Sequence, residues 1–493
     1  MKDGFKNVNL NYTNRSSCVF PIFISLINDV NIIFLNYWKI KNNMKNIICN
    51  IRLHNEEGAL INIFTFNIIK ESYDISIKSI LKETTNFTGI AIIEFISTEN
   101  FGFTFPAVTA FYSSKSNYSG VHTAGRIKNT EENKIPGEII ETNWKCKWEK
   151  GITPFFTLFN GSIKSESRYI KINIINTKNQ IIASKDIQLK IVEPYANKFF
   201  FLDEIFDLDK LELENNSFIE VKLPFSDYFP RMICGNFFRE EQFLEVTHSF
   251  ENQRENLDYL EEVKEKDSYY RVPSINPIAT NKELNLELLF FPTNCEGHVF
   301  GNWRTGNHNS KLKESEETFE WVCGGKDSKL KKIFIKNENK IKALDITKGK
   351  IPARINTSYI YRVHNSNSKY STDIAAGQIT EYFPPKRFTW GTGIIGGGYK
   401  TIIFLTSFSH NEDLKLDTKG KLILYVGENK FERSYVLNAE SGLEINTNDI
   451  VGVNDLNKTK LITWYYVQEK RTKLISYWIS YNKNGQITGD HAF

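Results

Sequence analysis

One pattern limits this chain more than any other: apolar and polar side chains alternate with a period of two over short runs. Tyr169-Ile170-Lys171-Ile172-Asn173-Ile174 places three isoleucines on one face. Ile219, Val221, Leu223 and Phe225 alternate with Glu220 and Lys222, and Leu284, Leu286 and Leu288 with Asn285 and Glu287. Successive side chains of an extended strand point to opposite faces, so each run predicts a strand with one buried face. Other runs are apolar on both faces, notably Leu474 to Tyr481 and Lys421 to Val426. These suit the central strands of a sandwich.

Turn residues separate the runs: Asn55-Glu56-Glu57-Gly58, Asn160-Gly161, Gly324-Gly325, Thr418-Lys419-Gly420 and Asn484-Gly485. Asn and Gly tolerate positive φ and close hairpins. The chain holds 37 Phe and 22 Tyr against 3 Met, and aromatic side chains fit a pleated, half-buried surface. The expected fold class is therefore all-β: tandem β-sandwich domains, Ig-like or jelly-roll-like, as four diverged repeats with short linkers and one charged surface helix. That helix is expected at Glu251 to Lys266, where Leu257, Leu260 and Val263 give only a narrow apolar stripe.

At 493 residues the chain exceeds what one core supports. Polar connectors at Lys128 to Pro136 and prolines at Pro384-Pro385 mark breaks. The expected domains are residues 18–127, 137–250, 283–383 and 386–493, with 251–282 as a charged helical linker. Weak internal similarity supports a duplication. Phe155 to Phe159 resembles Ile402 to Phe408, and Gly377-Gln378-Ile379-Thr380 reappears as Gly485-Gln486-Ile487-Thr488.

The 62 basic and 58 acidic residues leave a formal charge of +4. Nucleic-acid binding normally needs a basic face, so no nucleic-acid partner is expected. Six cysteines lie far apart with no CxxC pair, so free thiols in a reducing compartment are expected. The apolar stretch Cys18 to Leu35 is broken by Pro21, Asn28, Asp29 and Asn31. It matches neither a signal peptide nor a spanning helix, so the expectation is a cytoplasmic protein with no membrane span. Eight Asn-x-Ser/Thr triplets arise freely in an Asn-rich chain.

Among candidate functional residues, three histidines stand near segment ends: His122 in Gly-Val-His-Thr, His248 in Val-Thr-His-Ser, and His491 in Gly-Asp-His-Ala. The third segment offers Tyr382 at the corresponding place. Such residues cap the last strand by hydrogen bonding or, if a closed ring brings the ends together, bind a ligand or metal. Cys295, His298, His308 and Cys323 form a loose Cys/His cluster, a weak candidate metal site because its second half lacks tight ligand spacing. Trp303 and Arg304 pair an aromatic face with a guanidinium group, a combination that stacks on and hydrogen-bonds sugars when exposed. The other tryptophans read mostly as core.

Asp203, Glu204, Asp207 and Asp209 make an acidic run in which Asp203 and Asp207 would share a strand face. Gly393 to Thr401 is not a phosphate loop, since Tyr399 separates the glycines from Lys400 and a strand follows. No Gly-x-Ser-x-Gly or His-Glu-x-x-His occurs. The expected function is thus a non-catalytic binding or scaffolding protein without a cofactor, for a carbohydrate, protein or cell-envelope partner. The alternative is an enzyme with an inter-domain site using the segment-end histidines and nearby carboxylates, in a metal-dependent form or without metal.

Overall fold

The computed structural model describes residues 14–493 except 82–85, 102–105, 123–124, 128–138, 191, 224–227, 230, 252–258, 261–273, 294–295, 337, 353, 380–384, 410–411 and 453–456. The first sandwich uses eight strands: Asn14–Ile24, Asn28–Leu35, Ile47–Asn55, Leu60–Asn67, Ser72–Ser76, Phe87–Ser97, Thr109–Ser114 and Asn117–His122. Taken in chain order, they lie 1-6-3-4 in one sheet and 5-2-7-8 in the other, all antiparallel. The same two orders recur in three further sandwiches down the chain. Four copies of one topology make the chain a set of diverged repeats, although few side chains are shared between them.

The alternating runs behave as their periodicity demands. Ile170, Ile172 and Ile174 are buried against Ile219, Val221 and Phe156, whereas Tyr169 is exposed. Asn173, on the polar face, is also buried, and its amide spans Glu220 and Ser184. The runs that are apolar on both faces have a different cause from a simple central strand. In Leu474–Tyr481, Trp478 packs inside its own sandwich with Trp464 and Leu405. Tyr477, Ile479 and Tyr481 on the other face join the core of the third sandwich with Leu286 and Tyr361.

All four junctions are built this way. Phe23 of the first sandwich meets Phe199 and Phe237 of the second. Phe218 of the second meets Phe291 of the third. Tyr359 and Tyr361 of the third meet Tyr477 of the fourth, and Trp478 of the fourth meets Phe111 of the first. The four sandwiches therefore close in chain order, with the fourth seated on the first.

Several expectations need correction. The charged helix over Glu251 to Lys266 falls mostly outside the described residues, but the short strand Phe250–Glu251 reaches its first residue and Tyr259–Leu260 within it is a short strand. Ser274–Ala279, assigned to the linker, is a strand paired with Lys340–Pro352. Thr418-Lys419-Gly420 opens the strand Thr418–Val426 rather than forming a turn. The tetrapeptide match is not structural: Gly377 lies inside the last strand of the third sandwich, whereas Gly485, at φ 84°, lies in the turn before the last strand of the fourth. Gly396, Gly397 and Gly398 all have positive φ and form the hairpin turn into Lys400–Ser407.

Among the described residues no helix is long and apolar enough to cross a membrane. Five cysteines are free and buried: Cys18, Cys49, Cys146, Cys234 and Cys323. Burial pushes the thiols of Cys18, Cys146 and Cys234 well up and that of Cys323 up to about 12. A thiol reagent should therefore label these five only after denaturation. Rapid native labelling at any of them, located by peptide mapping, would contradict the packing.

Candidate functional site

The last strand of each sandwich is an edge strand: Asn117–His122, Phe243–His248, Thr372–Ile379 and Ile487–His491. An edge strand presents unpaired backbone groups on its outer side. Here the four edges turn inward and satisfy one another. Val246 N–H donates to Ser119 Oγ at 2.9 Å. Thr247 Oγ1 donates to the Asp373 carbonyl at 2.9 Å. Thr372 Oγ1 donates to the Gly489 carbonyl at 3.1 Å. Gly120 N–H donates to Thr488 Oγ1 at 2.8 Å, which returns the circuit to the first sandwich. Small hydroxyl residues suit this place because each must reach only one neighbouring backbone.

At one end of this circuit the three histidines meet. The ring centres of His122 and His491 are 4.0 Å apart, those of His122 and His248 4.7 Å, and those of His248 and His491 6.2 Å. One ring nitrogen of each lies within 4.8 Å of the others. Each ring is fixed through Nδ1. His122 Nδ1 lies 2.8 Å from Asp490 Oδ2, which also accepts the His122 backbone N–H at 2.7 Å. His248 Nδ1 lies 2.9 Å from the Ser249 carbonyl, and His491 Nδ1 3.5 Å from the Ala492 carbonyl. A carbonyl or carboxylate beside Nδ1 selects the Nδ1–H tautomer and leaves Nε2 with its lone pair. His248 Nε2 is buried with no hydrogen-bond partner. Phe250 and Phe493 pack edge-on to the cluster.

The electrostatics follow from burial. Desolvation, with help from His122, holds the His248 imidazole well below its ordinary range. The same causes bring His491 down to about 4. Burial alone would raise the Asp490 carboxyl, but His122 opposes this by charge and hydrogen bond, and the net direction is down. At neutral pH, His248 and His491 are therefore neutral imidazoles beside an ionised carboxylate.

The other candidates do not join this site. Tyr382 lies outside the described residues. Counted from the first pair of the hairpin before the last strand, His491 is fifth and His122 and His248 are sixth, and the third sandwich has Ala376 and Gly377 at those positions. Trp303 is only 4% exposed and packs edge-on to Phe319, so it offers no free face to a sugar. Arg304 pairs with Asp345 at 2.5 Å and reaches Glu440 of the fourth sandwich at 3.8 Å. Both side chains are thus engaged within the protein.

Cys295 is outside the described residues. His298 pairs with Glu320 at the surface, His308 Nε2 bonds the Thr280 carbonyl at 3.0 Å, and Cys323 is buried. Among the described residues, only His122, His248 and His491 form a group of three metal-ligating side chains. The acidic run is not an alternating strand: Leu202–Ile205 is a helical turn, and Asp203 is held by Arg239 through bonds of 2.6 and 2.7 Å.

Sequence reasoning had the histidines but missed their support. Asp490, beside His491, was visible as an Asp-His pair, yet its partner is His122 of another sandwich. Ser119, Thr247, Thr372 and Thr488 carried no signal.

No protein-family model matches the chain, and no curated protein matches it. Among solved structures it is weakly similar to alpha-2-macroglobulin from Escherichia coli. In the trypsin-activated form the identity is 7% and the TM-score 0.11, covering 94% of this chain and 30% of that one. In the native conformation the identity is 8% and the TM-score 0.10, covering 94% and 28%. The chain thus spans less than a third of those proteins, and scores this low carry no argument about fold or activity.

Proposed function

We propose that the chain is a non-catalytic binding or scaffolding protein. In this reading four domains, residues 18–127, 137–250, 283–383 with the strand Ser274–Ala279 added to it, and 386–493, close into a ring that presents His122, His248 and His491 as a ligand site at its axis. The observation that carries it is the hydrogen-bond circuit through the four last strands. A string of independent modules has no use for such a circuit, because relative motion is the default for domains on flexible linkers.

Asp490 is committed to His122, and Glu141 accepts from Ser249, the residue after His248, whereas general acid–base work needs a group within reach of a substrate. Seven of the eight tryptophans are buried, which removes the stacking surface a glycan would use.

Small-angle scattering tests the ring. A compact chain of this length has a radius of gyration of about 23 Å, whereas four such domains in a row give about 40 Å. The lower value is expected, and a profile near the higher one would overturn the reading.

A further inference from the structure

We propose that His122, His248 and His491 bind one divalent transition-metal ion of the zinc class through their Nε2 atoms, clamping three of the four sandwiches together at the ring axis. This deepens the ring reading and rests on it, because the three ligands belong to different sandwiches.

Three observations converge. The three rings come from strands far apart in the chain, yet one nitrogen of each lies within 4.8 Å of the others. Chance packing of three imidazoles is costly, since each carries a polar nitrogen that must find a partner when buried. His248 Nε2 has none in the protein. Each Nδ1 faces an oxygen: Asp490 Oδ2 for His122, and backbone carbonyls for His248 and His491. An outer oxygen of this kind orients a metal-bound imidazole and raises its basicity.

The donor set also selects the ion. Three neutral nitrogens suit zinc, copper, nickel or cobalt, while calcium and magnesium require oxygen ligands. Zinc–nitrogen bonds of about 2.0–2.1 Å in a tetrahedron set the nitrogens about 3.3 Å apart. The nitrogens lie within 4.8 Å of one another, a spacing that side-chain rotation brings to this geometry on binding. Three protein donors leave one tetrahedral position for water.

The test uses the full chain. Protein stripped with a chelator is dialysed against zinc chloride, or against cobalt chloride as a spectroscopic probe, and bound metal is counted by mass spectrometry. One ion per chain, visible absorption typical of four-coordinate cobalt, and a raised melting temperature are expected. His248→Ala and His491→Ala should each lose the ion. Asp490→Asn should keep one site but weaken it by about 10–100-fold. A wild-type chain that retains no stoichiometric zinc, or His variants that retain it unchanged, would overturn the proposal. Should a His variant fail to fold, the cobalt spectrum of the wild type decides alone. Scattering on the same stripped sample separates the two readings: a compact metal-free chain that takes up no ion sinks the metal site and leaves the ring intact.

Discussion

Replacing Glu245 with alanine should destabilise the protein by about 3–5 kcal/mol, the usual cost of leaving a buried charge without its partner. Glu245 sits on the last strand of the second sandwich and is nearly inaccessible to solvent. Its carboxylate accepts Lys147 Nζ at 2.6 Å, Asn236 Nδ2 at 3.0 Å and the backbone N–H of Ser371 at 2.9 Å. Ser371 belongs to the third sandwich, and Lys147 also donates to the Lys369 carbonyl at 2.7 Å. One carboxylate thus organises the second junction of the ring.

Burial already brings Lys147 down to about 8 even with Glu245 beside it. Removing the carboxylate deletes the main opposing influence, so Lys147 then sheds its proton or forces the junction open. Denaturant unfolding of E245A, K147M and the double variant K147M/E245Q would check this. The double variant should recover much of the loss, because the single amide oxygen of the introduced glutamine, in the place of Oε1, still accepts from Ser371, Asn236 Nδ2 keeps the Lys145 carbonyl, and no charge is left buried. An E245A chain within about 1 kcal/mol of wild type would show that the junction does not depend on this network. In a closed ring the damage should appear as loss of the whole structure, not of one module.

What was legible in the sequence and what was not divide along a physical line. Alternation at Ile170, Ile172 and Ile174 reports a local fact, which face of a strand is wet, and it was readable directly. The double-faced run Leu474 to Tyr481 was readable as buried on both sides, but not that its second face belongs to the third sandwich. A sequence records that a side chain avoids water without recording whose surface covers it. The histidines show the same limit. Their placement near segment ends was visible, whereas their convergence depends on four edge strands meeting, through hydroxyls such as Ser119 and Thr372 that look like any surface residue. Trp303 and Arg304 show the converse: an aromatic beside a guanidinium reads alike whether it faces a ligand or the core, and here Trp303 is buried.

Replacing Glu444 with glutamine should instead stabilise the protein above pH 7, by about 2–3 kcal/mol after allowance for partial exposure. Glu444 lies on the strand Ser441–Asn446 of the fourth sandwich, facing the third. Burial raises its carboxyl from 4.5 to about 7. Asn281 and Lys400 oppose that rise, and Glu283 adds to it. The imidazole of His308, 3.6 Å away, would cancel the shift if it were charged. Burial lowers His308 as well, and its Nε2 is spent on the Thr280 carbonyl, so the neighbour is neutral.

A raised folded value means that the folded chain holds this proton more tightly than the unfolded chain. The resulting stability is complete below pH 4.5 and is lost as pH rises through 7. Glutamine keeps the shape of the protonated acid and has nothing to lose. The difference between wild-type and E444Q unfolding free energies should therefore be near zero at pH 4 and grow between pH 4.5 and 7. Above that it should level off, other carboxylates cancelling in the subtraction. A flat difference curve would mean that Glu444 stays ionised, paired with His308 or reached by water, and that the third junction is wetter than its packing implies.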